Sequence, residues 1–570
     1  MMRADVMLNI ARGICTVALT FILGTAGAQN APHRYWVQFE GKTQNELPAG
    51  YSTPFKVDEP EAFLSPKAIY RRALQNIAVT DHDMPIPPDY VAELESMSAF
   101  KVILKSKWFN AVTIALVDTT FDPLTLLELP MVTDIKSVLA IEGDYREPPV
   151  AITRENECPP SGYGLGLGPL EQLNADWLHG IGFTGSGMTI AVLDAGFENT
   201  ESLPVFQRAW NEGRILEGMD AMQSQGGLFA HHRHGTAVLG TMAGHWKDHL
   251  IGTAPDATYI LYRTEDAYSE YLIEEDYWVA AAEHADSIGV DLMNTSLGYS
   301  LFDDSTMNHV YDELNGTTTR ISQAATWAAQ KGILCTTSAG NSGAAEWHYI
   351  TAPADAEGIL TVGAVDADGN HAPFSGWGPT SDGRVKPDVM ALGVQAAHPF
   401  ADSTIRQGNG TSFASPILCG AAACLWQAFP DAPASEIRQA IIASSHLYAT
   451  PNDSMGHGIP DFQKAFEWLD ENGAATWGTA GAEDFLLFPN PCSGGTIRWM
   501  YKGQQTPMKW QLLDMRNQLV DEGDAPVWPT DEGHLQGAVD LPLSLKNGTY
   551  VFNLFGPNSS LIRSRFILMR

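Results

Sequence analysis

Positive charge is scarce in this sequence. Its 570 residues carry 34 Lys and Arg against 67 Asp and Glu, a formal net charge of −33. Such a balance argues against nucleic-acid or anionic-membrane binding as the main task, and fits a solvated, repulsive surface on an exported protein. Attraction of cationic substrates is a further consequence that charge alone leaves open. Cysteine is scarce as well, at six residues. Cys15 falls in the N-terminal apolar run, and Cys158, Cys335, Cys419, Cys424 and Cys492 show no paired metal-ligand spacing. An odd number in a secreted chain leaves at least one thiol unpaired or intermolecular. Cys335, Cys419 and Cys424 stand among apolar residues and read as small buried hydrophobes. The N-terminal apolar run, Ile14 to Leu23, is short for a membrane span. Arg3 and Arg12 precede it and Ala26-Gly27-Ala28 follows, the order of a cleavable secretory signal over residues 1–28. A retained anchor is the alternative. Internal repeats and low-complexity tracts are lacking.

Length alone implies several domains, and four pieces follow from the patterning. Residues 29–157 open with the strand-like Tyr35-Trp36-Val37-Gln38-Phe39, continue with a helical stretch from Ala62 to Asn76, and close with strand-like runs at Phe100–Leu104 and Asn110–Ile114. This predicts a small α+β unit. Prolines at 148, 149, 159 and 160, with glycines between 162 and 168, mark a loose connection. Residues 163–474 alternate apolar strands (Thr189–Leu193, Thr258–Leu261, Val290–Met293, Ile333–Thr336, Ile359–Val362) with helices (Glu274–Ile288, Ser322–Gln330, Phe413–Ala428). That alternation predicts an α/β domain with a parallel sheet covered on both faces. After a Gly/Ala-rich linker near 472–482, residues 485–570 carry evenly spaced strand-like runs at Thr496–Met500, Trp510–Leu513, Tyr550–Leu554 and Ile562–Leu568, the pattern of a small β-sandwich.

The chemistry concentrates in the second piece. Asp194 ends the apolar strand Thr189–Leu193, where open α/β sheets place their sites. His234 opens the small-residue helix His234-Gly235-Thr236-Ala237-Val238-Leu239-Gly240, and Ser412 sits in Gly410-Thr411-Ser412-Phe413-Ala414-Ser415-Pro416, at the start of an Ala-rich helix. A helix N-terminus favours developing negative charge. A Ser hydroxyl needs a base, and the base needs an orienting group. The chain order Asp, His, Ser, without a G-x-S-x-G elbow, argues against a lipase-like hydrolase. Asn341, in Ser338-Ala339-Gly340-Asn341-Ser342-Gly343, adds a side-chain amide able to donate to an oxyanion, or else an ordinary turn residue. His231 and His232 stand beside His234, but no carboxylate or Cys joins them at ligand spacing.

These motifs resemble the subtilisin (subtilase) family of serine peptidases. The resemblance implies an α/β, parallel-sheet subtilisin-like catalytic domain, with Asp194 orienting, His234 as base and then acid, Ser412 as nucleophile and Asn341 supporting the oxyanion. It implies a peptide-binding strand at Ser296-Leu297-Gly298, faced by Ala339-Gly340 across the P1 pocket, with Thr351 at the pocket floor. No cofactor is implied for catalysis, and a structural Ca²⁺, common in the family, has no assignable ligands here. Arg233 stands where the family often has an acidic residue. Residues 29–157 resemble the inhibitory propeptide of Bacteroidetes-type subtilases, in Phe63-Leu64-Ser65, Arg71-Arg72 and Ser106-Lys107-Trp108-Phe109-Asn110-Ala111-Val112; a permanent accessory domain is the alternative. Residues 485–570 resemble a type IX secretion sorting domain, in Phe488-Pro489-Asn490-Pro491, Leu513-Asp514-Met515, Asn547-Gly548-Thr549-Tyr550 and the basic end Arg563, Arg565, Arg570; a carbohydrate- or protein-binding sandwich competes. The expected partners are therefore polypeptide substrates, the protein's own propeptide and a secretion machinery, with no nucleic acid, and the expected location is outside the cell or on its surface. A silent binding protein on the same scaffold, and an esterase or transferase using the same triad, are the competing functions.

Overall fold

The computed structural model describes residues 33–139, 162–471 (apart from 224, 225 and 401), and 485–488, 496–501, 509–514, 519–529, 535–542, 544–546, 548–555 and 561–568. The signal segment, the proline-rich connection, the Gly/Ala linker, Cys158, Cys492 and the motif residues Pro489–Pro491, Met515, Asn547 and Arg570 lie outside the described residues.

The N-terminal unit is a four-stranded antiparallel sheet in the order β2-β3-β1-β4, with β1 Arg34–Phe39, β2 Phe100–Ser106, β3 Ala111–Leu116 and β4 Val132–Leu139. The fourth strand had no clear signal, because only its ends are buried. The helix expected over 62–76 is shorter: α1 spans Pro66–Leu74. Ser65 caps it by accepting the Ala68 N–H, and a proline at the first helical position disfavours helical backbone in the residue before it. Asn110 takes a φ of 51°, so β3 begins one residue later than expected. A second helix, α2 (Pro88–Glu95), covers the sheet and buries Tyr90, Val91 and Leu94.

The central domain is built on a seven-stranded, all-parallel sheet. Its strands are β5 Thr189–Asp194, β6 Ile215–Asp220, β7 Thr258–Arg263, β8 Leu292–Thr295, β9 Leu334–Ser338, β10 Leu360–Val365 and β11 Val389–Leu392, ordered β11-β10-β9-β8-β5-β7-β6. The edge strands β6 and β11 were not legible in the sequence, one being half-exposed and the other only four residues long. Helices α3 His234–Ala243, α4 Ile273–Ile288, α5 Arg320–Gln330, α6 Thr411–Ala428, α7 Ala434–Ala443 and α8 Phe462–Glu471 cover both faces. The core divides accordingly. Val192, Leu261 and Val362 pack with α3 and α6 on one face, and Leu193, Tyr262 and Met293 with α4 and α5 on the other. Cys335, Cys419 and Cys424 are buried and unpaired, as apolar filling. After β5 the chain goes to the edge as β6, returns as β7 to lie between β6 and β5, then crosses to the other side for β8 to β11. The reversal lies between β5 and β8, which is where such sheets open a crevice at their C-terminal ends.

The C-terminal piece has two four-stranded antiparallel sheets. Ile497, Trp499 and Val539 of one share a core with Trp510, Leu512, Phe552 and Leu554 of the other, which is the expected sandwich. Among the described residues, no helix is long and apolar enough to cross a membrane.

Candidate active site

Asp194 is the last residue of β5 and fully buried. Its Oδ1 accepts the Ala195 N–H at 2.8 Å and lies 2.7 Å from His234 Nδ1. Its Oδ2 has no partner among the described residues. A buried carboxylate held on one side by its own backbone is a rigid acceptor, and it fixes the imidazole with Nδ1 protonated and Nε2 free to accept. Burial opposes charge on His234, yet the Asp194 charge and hydrogen bond prevail and raise its pKa above 6.5. His234 is the first residue of α3. Arg233 before it lies over the Phe400 ring, 4.8 Å from the centroid, so its guanidinium turns toward that ring.

Ser412 is the second residue of α6 and 8% exposed. The loop before it is anchored by Asn341, whose Oδ1 accepts both the Thr411 N–H at 2.9 Å and the Thr411 hydroxyl at 3.0 Å. Because an N–H can only be accepted by oxygen, this fixes the amide orientation and leaves Nδ2 as the donor facing the cleft. Gly410 shows what lies between. A Cβ there would stand 2.9 Å from Ser412 Oγ and 3.8 Å from Asn341 Nδ2. Its absence leaves open the space that a carbonyl oxygen needs beside both groups.

Two residues that sequence reasoning left without a role, Asn294 and Ser415, tie down the turn that carries Ser412. Asn294, fully buried in β8, accepts from the Ser415 hydroxyl at 2.9 Å and donates to Ser296 Oγ at 2.9 Å, and Ser296 Oγ donates to the Ser412 carbonyl at 3.0 Å. This buried polar chain ties the first turn of α6 to β8. The available signal was an Asn inside an otherwise apolar strand, which needs partners when buried.

The other singled-out residues converge on one pocket. Ser296, Leu297 and Gly298 continue β8, and the Leu297 carbonyl accepts from Ser338 Oγ. Ala339 donates its N–H to Val362, and Gly340, at φ 90°, turns the chain toward the cleft. A Cβ on Gly298 would lie 2.2 Å from Thr351 Oγ1, and one on Gly340 2.9 Å from the same atom. Thr351 thus closes the end of a slot whose two walls must be glycine. Its buried hydroxyl has no partner among the described residues. Among those residues no group of His, Cys, Asp or Glu gathers as a metal site, including His231 and His232.

The N-terminal unit docks on α4 beside this cleft. Glu283 accepts the Ser106 hydroxyl and the Lys107 and Trp108 N–H groups at 2.6 to 3.0 Å. Asp286 takes Arg71 at 2.6 Å, Arg72 at 2.9 Å and Lys107 at 3.3 Å. Val138 and Leu139, at the end of β4, pack with Tyr271, Ile273 and Tyr277 of the catalytic domain. Arg34 also bonds the Tyr277 hydroxyl.

Two stretches of the chain match known protein families. Residues 185–458 match the subtilase family and residues 34–149 the peptidase S8 propeptide domain of Bacteroidota. Subtilisin DY of Bacillus licheniformis is 27% identical over 287 residues, covering 50% of this chain and 90% of that protein. Subtilisin Savinase of Lederbergia lenta is 28% identical over 288 residues, covering 49% and 94%. Among solved structures, a cold adapted subtilisin-like serine proteinase aligns with a TM-score of 0.37 at 22% identity, over 49% of this chain and 89% of that one. A prenylagaramide maturation protease aligns with a TM-score of 0.40 at 23% identity, over 52% and 98%. Residues 185–458 are therefore a subtilase domain behind an S8 propeptide domain, and the protein is a subtilisin-like serine peptidase.

Proposed function

We propose that the protein is a secreted serine endopeptidase, made as a self-inhibited precursor, that cleaves peptide bonds through an acyl-enzyme on Ser412. The observation that carries this is the 2.7 Å contact between His234 Nδ1 and Asp194 in the same crevice as a Ser held at a helix N-terminus. His234 Nε2 takes the Ser412 proton as Oγ attacks the scissile carbonyl. Asp194 holds the tautomer and stabilises the imidazolium. The oxyanion is met by Asn341 Nδ2 and the Ser412 N–H. His234 then protonates the leaving amine, and water, activated by the same base, releases the acyl group. An extended peptide pairs with Ser296–Gly298 as an added strand and places its P1 side chain in the slot between Gly298 and Gly340, above Thr351. This chemistry uses side chains and backbone alone.

The same reading assigns residues 1–28 to an export signal, 29–157 to the inhibitory propeptide, 163–474 to the catalytic domain and 485–570 to type IX export. Its support is the charge and apolar order of the N-terminus, the packing of the end of β4 on the start of α4, and the C-terminal motifs. A fluorophosphonate probe on secreted protein, read by intact mass and peptide mapping, tests it. One adduct on Ser412, on a chain lacking the residues before about Tyr163, is the expected result. A folded, processed chain with no adduct would overturn it.

A further inference from the structure

We propose that Arg233 and Arg406, gathered on the ring of Phe400, take an acidic side chain of the substrate on the leaving-group side, two to three residues past the scissile bond. This rests on the peptidase reading above. After β11 the chain forms a hairpin, β12 (Ala396–Pro399) paired antiparallel with β13 (Ile405–Gly408), which leads through Asn409 and Gly410 to Ser412. The hairpin packs on both helices that carry the triad. A Cβ on Gly240 of α3 would stand 2.1 Å from Pro399 Cδ, and the His398 ring stacks on Phe413 of α6 with centroids 4.8 Å apart. The Phe413 ring is in turn 6.5 Å from the His234 ring. The Phe400 N–H bonds the Thr404 carbonyl and extends the pairing, so Phe400, two residues after His398, projects to the same side of the hairpin. In the reading above Ser296–Gly298 hold the acyl half of the peptide and His234 protonates the leaving amine. The released half therefore starts at His234 and runs out over the start of α3 and this hairpin. Arg233 is the residue before His234, and its guanidinium is within a side chain's length of that amine. An extended peptide, at about 3.3 Å per residue, covers that reach in two to three residues.

Two guanidinium groups share one ring here. Arg406 Cζ lies 3.4 Å from the Phe400 centroid and Arg233 Cζ 4.8 Å from it. A single carboxylate serves the two. Arg406 Nη2 donates to Asp402 Oδ2 at 2.5 Å, and its Nε donates to Thr404 Oγ1 at 3.2 Å. Arg233 has no ion pair and no side-chain hydrogen bond among the described residues. A cation held over a ring is positioned by it but gives up no N–H donor to an acceptor, so the Arg233 fork stays free for a carboxylate. The surroundings add positive charge rather than cancel it. The ionisable groups acting on His398 are His234, Arg406 and Arg233, and with burial as the main cause its pKa is held down at about 4. A cationic rim beside the nucleophile stands out in a chain of net charge −33, which otherwise repels acidic peptides. The ligand that such a rim lacks is an anion with two acceptor oxygens, and a guanidinium already fixed in place loses little freedom in binding it.

The test uses processed enzyme and paired internally quenched peptides, amidated at the C-terminus, with Glu or its neutral isostere Gln at the second or third residue after the cleaved bond, the bond being located by mass spectrometry. We expect kcat/KM to favour Glu by about 10-fold at low salt, the effect of one charge-assisted hydrogen bond, with the ratio shrinking as salt rises. Arg233→Gln should bring the ratio near one. Asp402→Asn removes the carboxylate that competes for Arg406 and should widen the ratio. Equal rates on both peptides, by an enzyme that still labels at Ser412, would overturn the site alone, as would an Arg233→Gln ratio equal to wild type. A gain seen only with a free C-terminal carboxylate at that position, and not with internal Glu, would overturn the side-chain reading in favour of a chain-end site. No labelling and no turnover by the processed enzyme would overturn the triad assignment and the site with it.

Discussion

Helix α4 is acidic at both ends, and two of its carboxylates, Asp286 near one end and Glu274 near the other, have opposite fates. At its C-terminal end Asp286 is surrounded by Arg71, Arg72 and Lys107 of the propeptide domain, and although burial opposes its charge, those cations hold its pKa well below the usual carboxylate range. At its N-terminal end Glu274, with the nearby Glu265 and Glu270, is buried with acids for its nearest charged neighbours, and all three are pushed up. Burial raises a carboxylate's pKa at either end; the difference is whether a cation is delivered. The N-terminal domain delivers cations to the docking face and apolar side chains, Val138 and Leu139, to the start of α4. The docking face is therefore satisfied by the N-terminal domain packed on it.

The largest effect expected from breaking either region is chemical. Ser412→Ala should lower kcat by roughly 10⁴–10⁶-fold and Asn341→Ala by roughly 10²–10³-fold, read from steady-state kinetics on one peptide. Normal turnover by Ser412→Ala would remove the mechanism. The docking face comes next. In a Ser412→Ala precursor, Arg72→Met removes one cation from a buried cluster while Arg71 and Lys107 remain. It should destabilise the docked precursor by about 3 kcal/mol in denaturant unfolding, the low end for one partner of a buried pair. An unchanged unfolding midpoint would mean that the network is not what holds the domains together. Asp286 also fixes a sign. Its folded-state pKa is depressed, so its contribution is present above its unfolded value near 4 and is lost only as pH falls through the lower folded value. Mild acid near pH 5 should therefore not release the propeptide through this group, as size-exclusion of the Ser412→Ala precursor after limited proteolysis would show.

Smaller effects lie in the pH profile. His234 must be neutral to accept the Ser412 proton, and its pKa is raised, so kcat/KM should climb with pH through a midpoint above 6.5. Burial and the Asp194 charge push Glu265 up to about 8, so it is largely protonated near that midpoint, and Glu265→Gln should leave the midpoint nearly unchanged; a clear move to lower pH would show an ionised Glu265 acting on His234.

The elements that carry the candidate site follow local patterns in the sequence. Asp194 ends an apolar strand, His234 and Ser412 open small-residue helices, and Ser296–Gly298 and Gly340 carry the spacing of a strand and a turn. Their physical demands are met within a few residues, by strand period, helix start and glycine backbone. The parallel sheet was legible for the same reason, except at β6 and β11, where a half-exposed edge and a four-residue strand carry too little pattern.

What the tertiary structure decided involves partners far apart in the chain. Arg71 and Asp286 are separated by 215 residues, and Ser296 and Ser412 by 116. The closure of Gly298 and Gly340 onto Thr351 and the Asn294 chain behind Ser412 also depend on which loops the sheet order brings together. Sequence fixes which groups are charged and which segments are strands. Whether a buried carboxylate is paired or left wanting a cation is set by long-range packing, because Coulomb energy and desolvation depend on distance in space and not along the chain.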